Sequence, residues 1–300
     1  MFNALLYDSN GGNYKMKTKF TGLVLDTETH FKSQHNKLIY DIGWVMGDLR
    51  NATAPKIERR FFVKEFLPLS FWKHSFVNKE TGNRQFWKID SRAEQTQRHA
   101  FDEPSMVKSW DFIMGVLHAD VSMVDCVGSY NWAFDSSAID ITNRNLNHSA
   151  ILPTWDFNKF CLQDMYVRKI VNQTYFKYID NLDADERENY LSHSGKNLGY
   201  SAEVMARYIN KHTDYIESHT ALDDSRVEFE LARLFVDRHF TEFKKDFLNN
   251  VKPVTWTLLR DRISSAEKMR KREDAKPIAS NEDKKLLDNF QGVLDFGGNK

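Results

Sequence analysis

Apolar positions crowd the first part of the chain in short runs and then spread to a helical spacing further on. Three segments, "TGLVLDTET", "KLIYDIGWVMGDL" and "IERRFFVKEF", are dense in Val, Ile, Leu and aromatic residues and predict β-strands. A short break after Thr29 and a polar turn near Asp48 separate them, as in an antiparallel meander. "SMVKSWDFIMGVLHAD" reads as a helix, with Met106, Ile113, Val116 and Leu117 near one face and Ser105 as its expected cap. "VSMVDCVGSYN" is a strand, and "WAFDSSAIDITNRNL" turns from it into a helix. "LPTWDFNKFCLQDMYVRKI" makes a second strand-to-helix passage. Val204, Met205, Tyr208 and Ile209 share a face in "NLGYSAEVMARYIN", and "SHTALDDSRVEFELARLFVDRHF" opens a longer helix. Strands first, then a strand among helices, describe an α/β domain with a mixed sheet.

Composition narrows the setting. A chain of 300 residues at 41% hydrophobic can bury a sizeable core. Lys+Arg and Asp+Glu both number 42, so no global field points to nucleic acid, although a local patch suffices for contact. Two cysteines, Cys126 and Cys161, are too few for a disulfide scaffold or a Cys-based zinc site. With no signal-peptide pattern at the start and no stretch long enough to span a membrane, the expectation is a soluble, cytoplasmic protein.

Two regions stand apart from the strand and helix pattern. Pro68 to Lys88 interleaves Phe71, Trp72, Phe76, Phe86 and Trp87 with Lys73, His74, Arg84 and Lys88. Aromatic faces beside cations suit stacking against single-stranded bases, and they equally suit packing against the domain. Between Lys252 and Lys276, eight Lys/Arg face four Asp/Glu, an excess of four positive charges. That basic segment reads either as a track along a nucleic-acid backbone or as a solvated helix face. Ser280 with Asp283 three residues on forms a capping-box-like start to a further helix.

The candidate chemistry begins at "GLVLDTETHF". Asp26 and Glu28 alternate with Thr27, which puts both carboxylates on one face of a strand. Such hard oxygen ligands suit a divalent metal such as Mg²⁺ or Mn²⁺. A second piece, "GSYNWAFDSSAID", sets Asp135 after an apolar strand, with Asn131 four residues before it. In the third, "SHTALDDSRVE", His219 precedes Asp224 by five positions at the head of a helix. Asp41, Asp125, Asp140 and Asp156 lie near these motifs and read as hydrogen-bonded or solvated carboxylates.

D-x-E at Asp26 and Glu28, N-x-x-F-D at Asn131, Phe134 and Asp135, and H-x-A-x-x-D at His219, Ala221 and Asp224 resemble the three motifs of the DEDDh exonucleases, in the DnaQ-like superfamily. "YDIGWVMGD" resembles that family's second strand, with the small Gly43 at the matching place. The likeness runs from about Phe20 to Phe240. It implies an RNase H-like mixed sheet flanked by helices over residues 17–247, while composition marks the aromatic and basic insertion and a basic helical extension over 248–300. It also implies removal of nucleotides from 3′ ends of single-stranded DNA or RNA with two divalent ions, Mg²⁺ or Mn²⁺. Asp26, Glu28, Asp135 and Asp224 would hold the ions, and His219 would be the general base. The family spacing selects Asp224 over Asp223, which reads as a carboxylate favoured by the helix macrodipole. Thr29, His30 and Phe31 fall where relatives receive the terminal nucleotide, against the alternative of an ordinary turn. Asn131 either orients the loop carrying Asp135 or touches the sugar-phosphate.

One departure is a long stretch over 167–197, a candidate helical insertion that shapes substrate entry or, like the C-terminal tail, holds a protein partner. The rival readings are an idle exonuclease-like binding module and an endonuclease on the same fold.

Overall fold

The computed structural model describes residues 18–31, 37–68, 75–77, 84–86, 91–146, 156–191, 198–211, 216, 218–252 and 254. Most of the aromatic and basic insertion, part of the 167–197 stretch and nearly all of the basic extension lie outside the described residues. The helix expected to start at Ser280 therefore lies outside the described residues.

Three strands open the domain: β1 (Thr21–Phe31), β2 (Lys37–Asp48) and β3 (Ile57–Val63). They pair antiparallel in sequence order. The apolar run "IERRFFVKEF" stops being a strand at Val63 and turns through a 3-10 segment, Lys64–Phe66. From the aromatic insertion, β4 (Ser75–Val77) and β5 (Arg84–Phe86) pair antiparallel as a separate ribbon. Next come α1 (Ser91–Asp102), the two-residue β6 (Val107–Lys108) and α2 (Trp110–Val121). Here the sequence expectation needs correcting. Val107 and Lys108 pair in parallel with Phe62 and Val63 rather than joining the helix, and the cap is Ser109, not Ser105. Ser109 accepts from the Phe112 N–H, which satisfies one of the four donors a helix start leaves open.

The remaining elements are β7 (Cys126–Ser129), α3 (Trp132–Asn145), β8 (Lys159–Cys161), α4 (Leu162–Lys169), α5 (Gln173–Asp180), α6 (Ala184–Glu188), α7 (Ala202–Asn210) and α8 (Ala221–Glu242). The main sheet has six strands in the order β6-β3-β2-β1-β7-β8, and β7 runs parallel to both β1 and β8. This is the mixed α/β sheet flanked by helices that the pattern predicts. Among the described residues, no helix is long and apolar enough to cross a membrane.

Strand alternation divides the interior into two cores. Leu23, Leu25, Ile42, Trp44 and Met46 face one way and pack with Trp110, Ile113, Leu117, Trp132 and Ile139 of α2 and α3. Val24 and Val45 face the other way, towards α4, α5, α7 and α8. On that second face β2 carries small side chains, and Gly43 matters most. A Cβ there would lie 2.5 Å from the Leu222 backbone nitrogen and 2.6 Å from the Ala221 carbonyl carbon. Only a residue without a side chain lets the start of α8 rest directly on β2. Since Gly43 pairs with Asp26 across the strands, that close approach delivers the head of α8 to the acidic end of β1.

Candidate functional site

The acidic positions meet because three elements end at one place. β1 carries Asp26 and Glu28 on the face towards α8, past the point where Leu23 and Val24 pair with β7. β7 ends at Ser129 and the chain turns through Tyr130 and Asn131 into α3, whose first turn holds Asp135. Asp135 is buried, and its Oδ1 accepts from the Thr27 hydroxyl at 2.7 Å. Alternation puts Thr27 on the face opposite to Asp26, so this hydrogen bond lets α3, on the other side of the sheet, join the cluster. Asn131 is the exposed N-cap residue of α3; its carbonyl accepts from the Phe134 N–H at 2.8 Å, and its side chain makes no cap hydrogen bond.

The head of α8 supplies the third piece. Thr220 caps it, accepting from the Asp223 N–H. Just before the cap, His219 has a φ of 54°, in the left-handed region where a side chain crowds the backbone. The His219 side chain is exposed. Glu28, His219 and Asp224 each offer a ligand atom, and these atoms lie within 4.8 Å of one another. Two carboxylates and an imidazole make a donor set that fits a divalent cation. The neighbouring Asp223 turns elsewhere, accepting from Thr220 Oγ1 at 2.8 Å and from Arg226 Nη1 at 2.6 Å. Burial works against its charge, but hydrogen bonds from Thr220 and Arg226 hold its carboxyl below the usual range.

Electrostatics set this cluster apart. Burial, and then the negative charges of Glu228, Asp135, Glu28 and Asp224 in that order, push the Asp26 carboxyl well above the usual range. Burial likewise pushes Asp135 up to about 6, against the hydrogen bond from Thr27. Crowded carboxylates out of water are costly unless a cation arrives to compensate them.

Several contributors escape the motif reading. Glu228, one helical turn beyond Asp224, is buried and accepts from the Tyr130 N–H at 2.9 Å. Tyr40 points its hydroxyl at Glu28 Oε2, 3.4 Å away. Lys37 lies 3.8 Å above the Phe134 ring, close enough to Asp135 to feel its charge, although burial dominates and lowers its pKa. Asp41, directly opposite Glu28 on β2, accepts from Arg60 Nη2 at 2.9 Å and from Arg60 Nε at 3.2 Å. Its Oδ2 also takes the Ala221 N–H at 3.4 Å, fastening the first residue of α8 to the sheet. Glu228 left one signal in the sequence: a carboxylate at the spacing of the apolar stripe formed with Val227 and Leu231.

The substrate-facing expectations distribute unevenly. Thr29 and His30 are buried. The pairing register shifts between Glu28 and Thr29, and His30 packs 4.7 Å from the Tyr40 ring with Nε2 3.1 Å from the Phe66 carbonyl. The side chain of Phe31 lies outside the described parts.

Neither a family model nor a curated protein sequence matches the chain. Among solved structures it is similar to a zinc-bound E. coli ExoI–ssDNA complex, at 13% identity and a TM-score of 0.43 over 76% of this chain and 42% of that one. An exonuclease I from Methylocaldum szegediense is similar at 16% identity and 0.46, over 75% and 42%. A full-length 3′-exonuclease is similar at 11% identity and 0.43, over 74% of this chain and 84% of that one. The match thus spans less than half the length of those exonuclease I chains.

Proposed function

We propose that this protein is a metal-dependent 3′–5′ exonuclease acting on single-stranded nucleic acid. The observation that carries the reading is the convergence of Glu28, His219 and Asp224 within 4.8 Å, beside an Asp26 whose charge is opposed by its neighbours. A partly buried site that repels its own carboxylates is organised for an incoming cation.

Asp26, Glu28, Asp135 and Asp224 would hold two divalent ions. When bound, such ions supply Lewis acidity, an activated water near neutral pH and a clamp on the attacking and leaving oxygens. The chain's own groups do the rest. The exposed His219 accepts the proton of the attacking water on a ring nitrogen, a task suited to an imidazole near neutral pH. The Thr27 hydroxyl fixes Asp135, and the Tyr40 hydroxyl steadies Glu28. Lys37, over Phe134, offers a positive charge beside the carboxylates for a backbone phosphate.

The test is incubation of the purified protein with 5′-labelled DNA and RNA oligomers, with Mn²⁺ and with chelator. A ladder shortening from the 3′ end only when Mn²⁺ is present is expected, and the two oligomers reveal the sugar preference. Binding of oligomers with no metal-dependent shortening would favour the idle module. Cutting of circular single strands would favour an endonuclease.

A further inference from the structure

Glu228 belongs to none of the three motifs, yet its surroundings tie it to them. It lies four residues beyond Asp224 on α8, so both side chains project from the same helical face. It is 4% exposed. Its Oε2 takes the Tyr130 N–H at 2.9 Å, at the corner where β7 leaves the sheet for the helix carrying Asp135. Tyr130 is itself anchored: its hydroxyl donates to the Tyr200 carbonyl, and its own carbonyl accepts from the Gln163 N–H at 2.8 Å. Glu228 therefore links the helix bearing the third motif to the corner bearing the second. A glutamine carbonyl would accept the same hydrogen bond. What the carboxylate adds is charge, held out of water one helical turn from Asp224 and at the corner that leads into the helix of Asp135. In a chain without metal this crowding is unfavourable. With cations between the carboxylates it turns favourable.

We infer that Glu228 is a fifth carboxylate of the cation site, whose negative charge strengthens divalent-metal binding while its hydrogen bond to Tyr130 holds the second and third motifs together. The inference rests on the metal-dependent reading above and adds a residue to it. Glu228 acts through the site's field and framework, as a positioning residue.

The experiment measures Mn²⁺ binding to the full chain by calorimetry, alongside thermal melting in chelator and in Mn²⁺. Glu228→Gln keeps an acceptor for Tyr130 and removes the charge. It should weaken Mn²⁺ binding by roughly 10–100-fold, the usual effect of losing a supporting carboxylate, while melting no lower than the wild type in chelator. Glu228→Asp keeps the charge on a shorter arm and should bind Mn²⁺ more tightly than Glu228→Ala. That comparison stands even if Glu228→Gln folds poorly. Equal Mn²⁺ affinity in wild type and Glu228→Gln, or in Glu228→Asp and Glu228→Ala, overturns the role of the charge. If the wild type binds Mn²⁺ and Asp224→Asn does not, the metal reading survives such a result. If the wild type binds no Mn²⁺, both readings fall.

Discussion

Asp26 and Asp41 sit on neighbouring strands, both on the face turned towards α8, and burial raises the pKa of each. Their company differs. Asp41 has Arg60 on the adjacent strand, with two hydrogen bonds from the guanidinium and a third from the Ala221 N–H. Those contacts pull its carboxyl back towards the ionised form. Asp26 instead faces four other carboxylates, each of which opposes its charge. One aspartate is complete within the fold and holds a helix. The other is left for something that arrives from solution. Residue type and strand face are alike, so the sign of the neighbouring charge separates structure from chemistry.

The contrast can be broken most sharply at Asp26. Asp26→Asn should lower metal-dependent nucleotide release by roughly 10³-fold, since several kcal/mol of transition-state stabilisation are lost with the cations. In chelator the same variant should melt no lower than the wild type, because a repelled charge has been removed. A single-turnover assay and a melting curve on one preparation read both outcomes.

Asp41→Ala should do the opposite. It strands a half-buried guanidinium and costs about 3–5 kcal/mol of stability, as breaking one half of a buried pair does. Denaturant unfolding measures it. A stability loss at Asp26 equal to that at Asp41 would erase the distinction.

Proton linkage gives a subtler test. Asp135 is pushed up to about 6 in the folded chain and would return to about 3.9 on unfolding. The folded state therefore holds its proton more tightly, and the resulting stabilisation is complete below about pH 4 and lost as pH rises through about 6. In chelator, the melting temperature should fall across that window, and Asp135→Asn should flatten the slope. Added Mn²⁺ at neutral pH should offset the loss.

The smallest effect belongs to Asp223. Asp223→Asn should change stability by no more than about 1 kcal/mol, because Arg226, its half-exposed partner, also pairs with Glu58. Its activity should stay near that of the wild type, whereas Asp224→Asn should be far more damaging. The reverse order in a side-by-side assay would mean that the third motif has been read one residue out of register.

The elements around the site were largely legible in the sequence, because strands with apolar alternation and long periodic helices announce themselves locally. β1, β2, α3, α7 and α8 form close to where the pattern predicts. Ser109 was missed as the α2 cap because Ser105 offers the same hydroxyl four residues earlier. Only the pairing of Val107 and Lys108 with β3, a contact between distant segments, decides between them. The proximity of Lys37 to Asp135 is of the same kind, since nothing local connects positions almost a hundred residues apart. His30 shows a different gap. Strict alternation would put it beside Asp26 and Glu28, but the irregularity after Glu28 interrupts the period, and the ring joins Tyr40 in the interior. Glu228 shows in sequence only as an acid at the apolar spacing of its helix, and the Tyr130 N–H that it meets is set against it by folding alone.

Gly43 turns this arrangement into a remote control. Because the backbone of Ala221 and Leu222 rests where a side chain would be, even one methyl group on β2 acts as a wedge beneath the helix. Asp224 rides on that helix and His219 immediately precedes its cap, so the wedge would dislodge both while leaving every acidic group chemically intact. Silencing the proposed activity without altering any acidic group would thus require no more than an alanine at a position outside the acidic cluster.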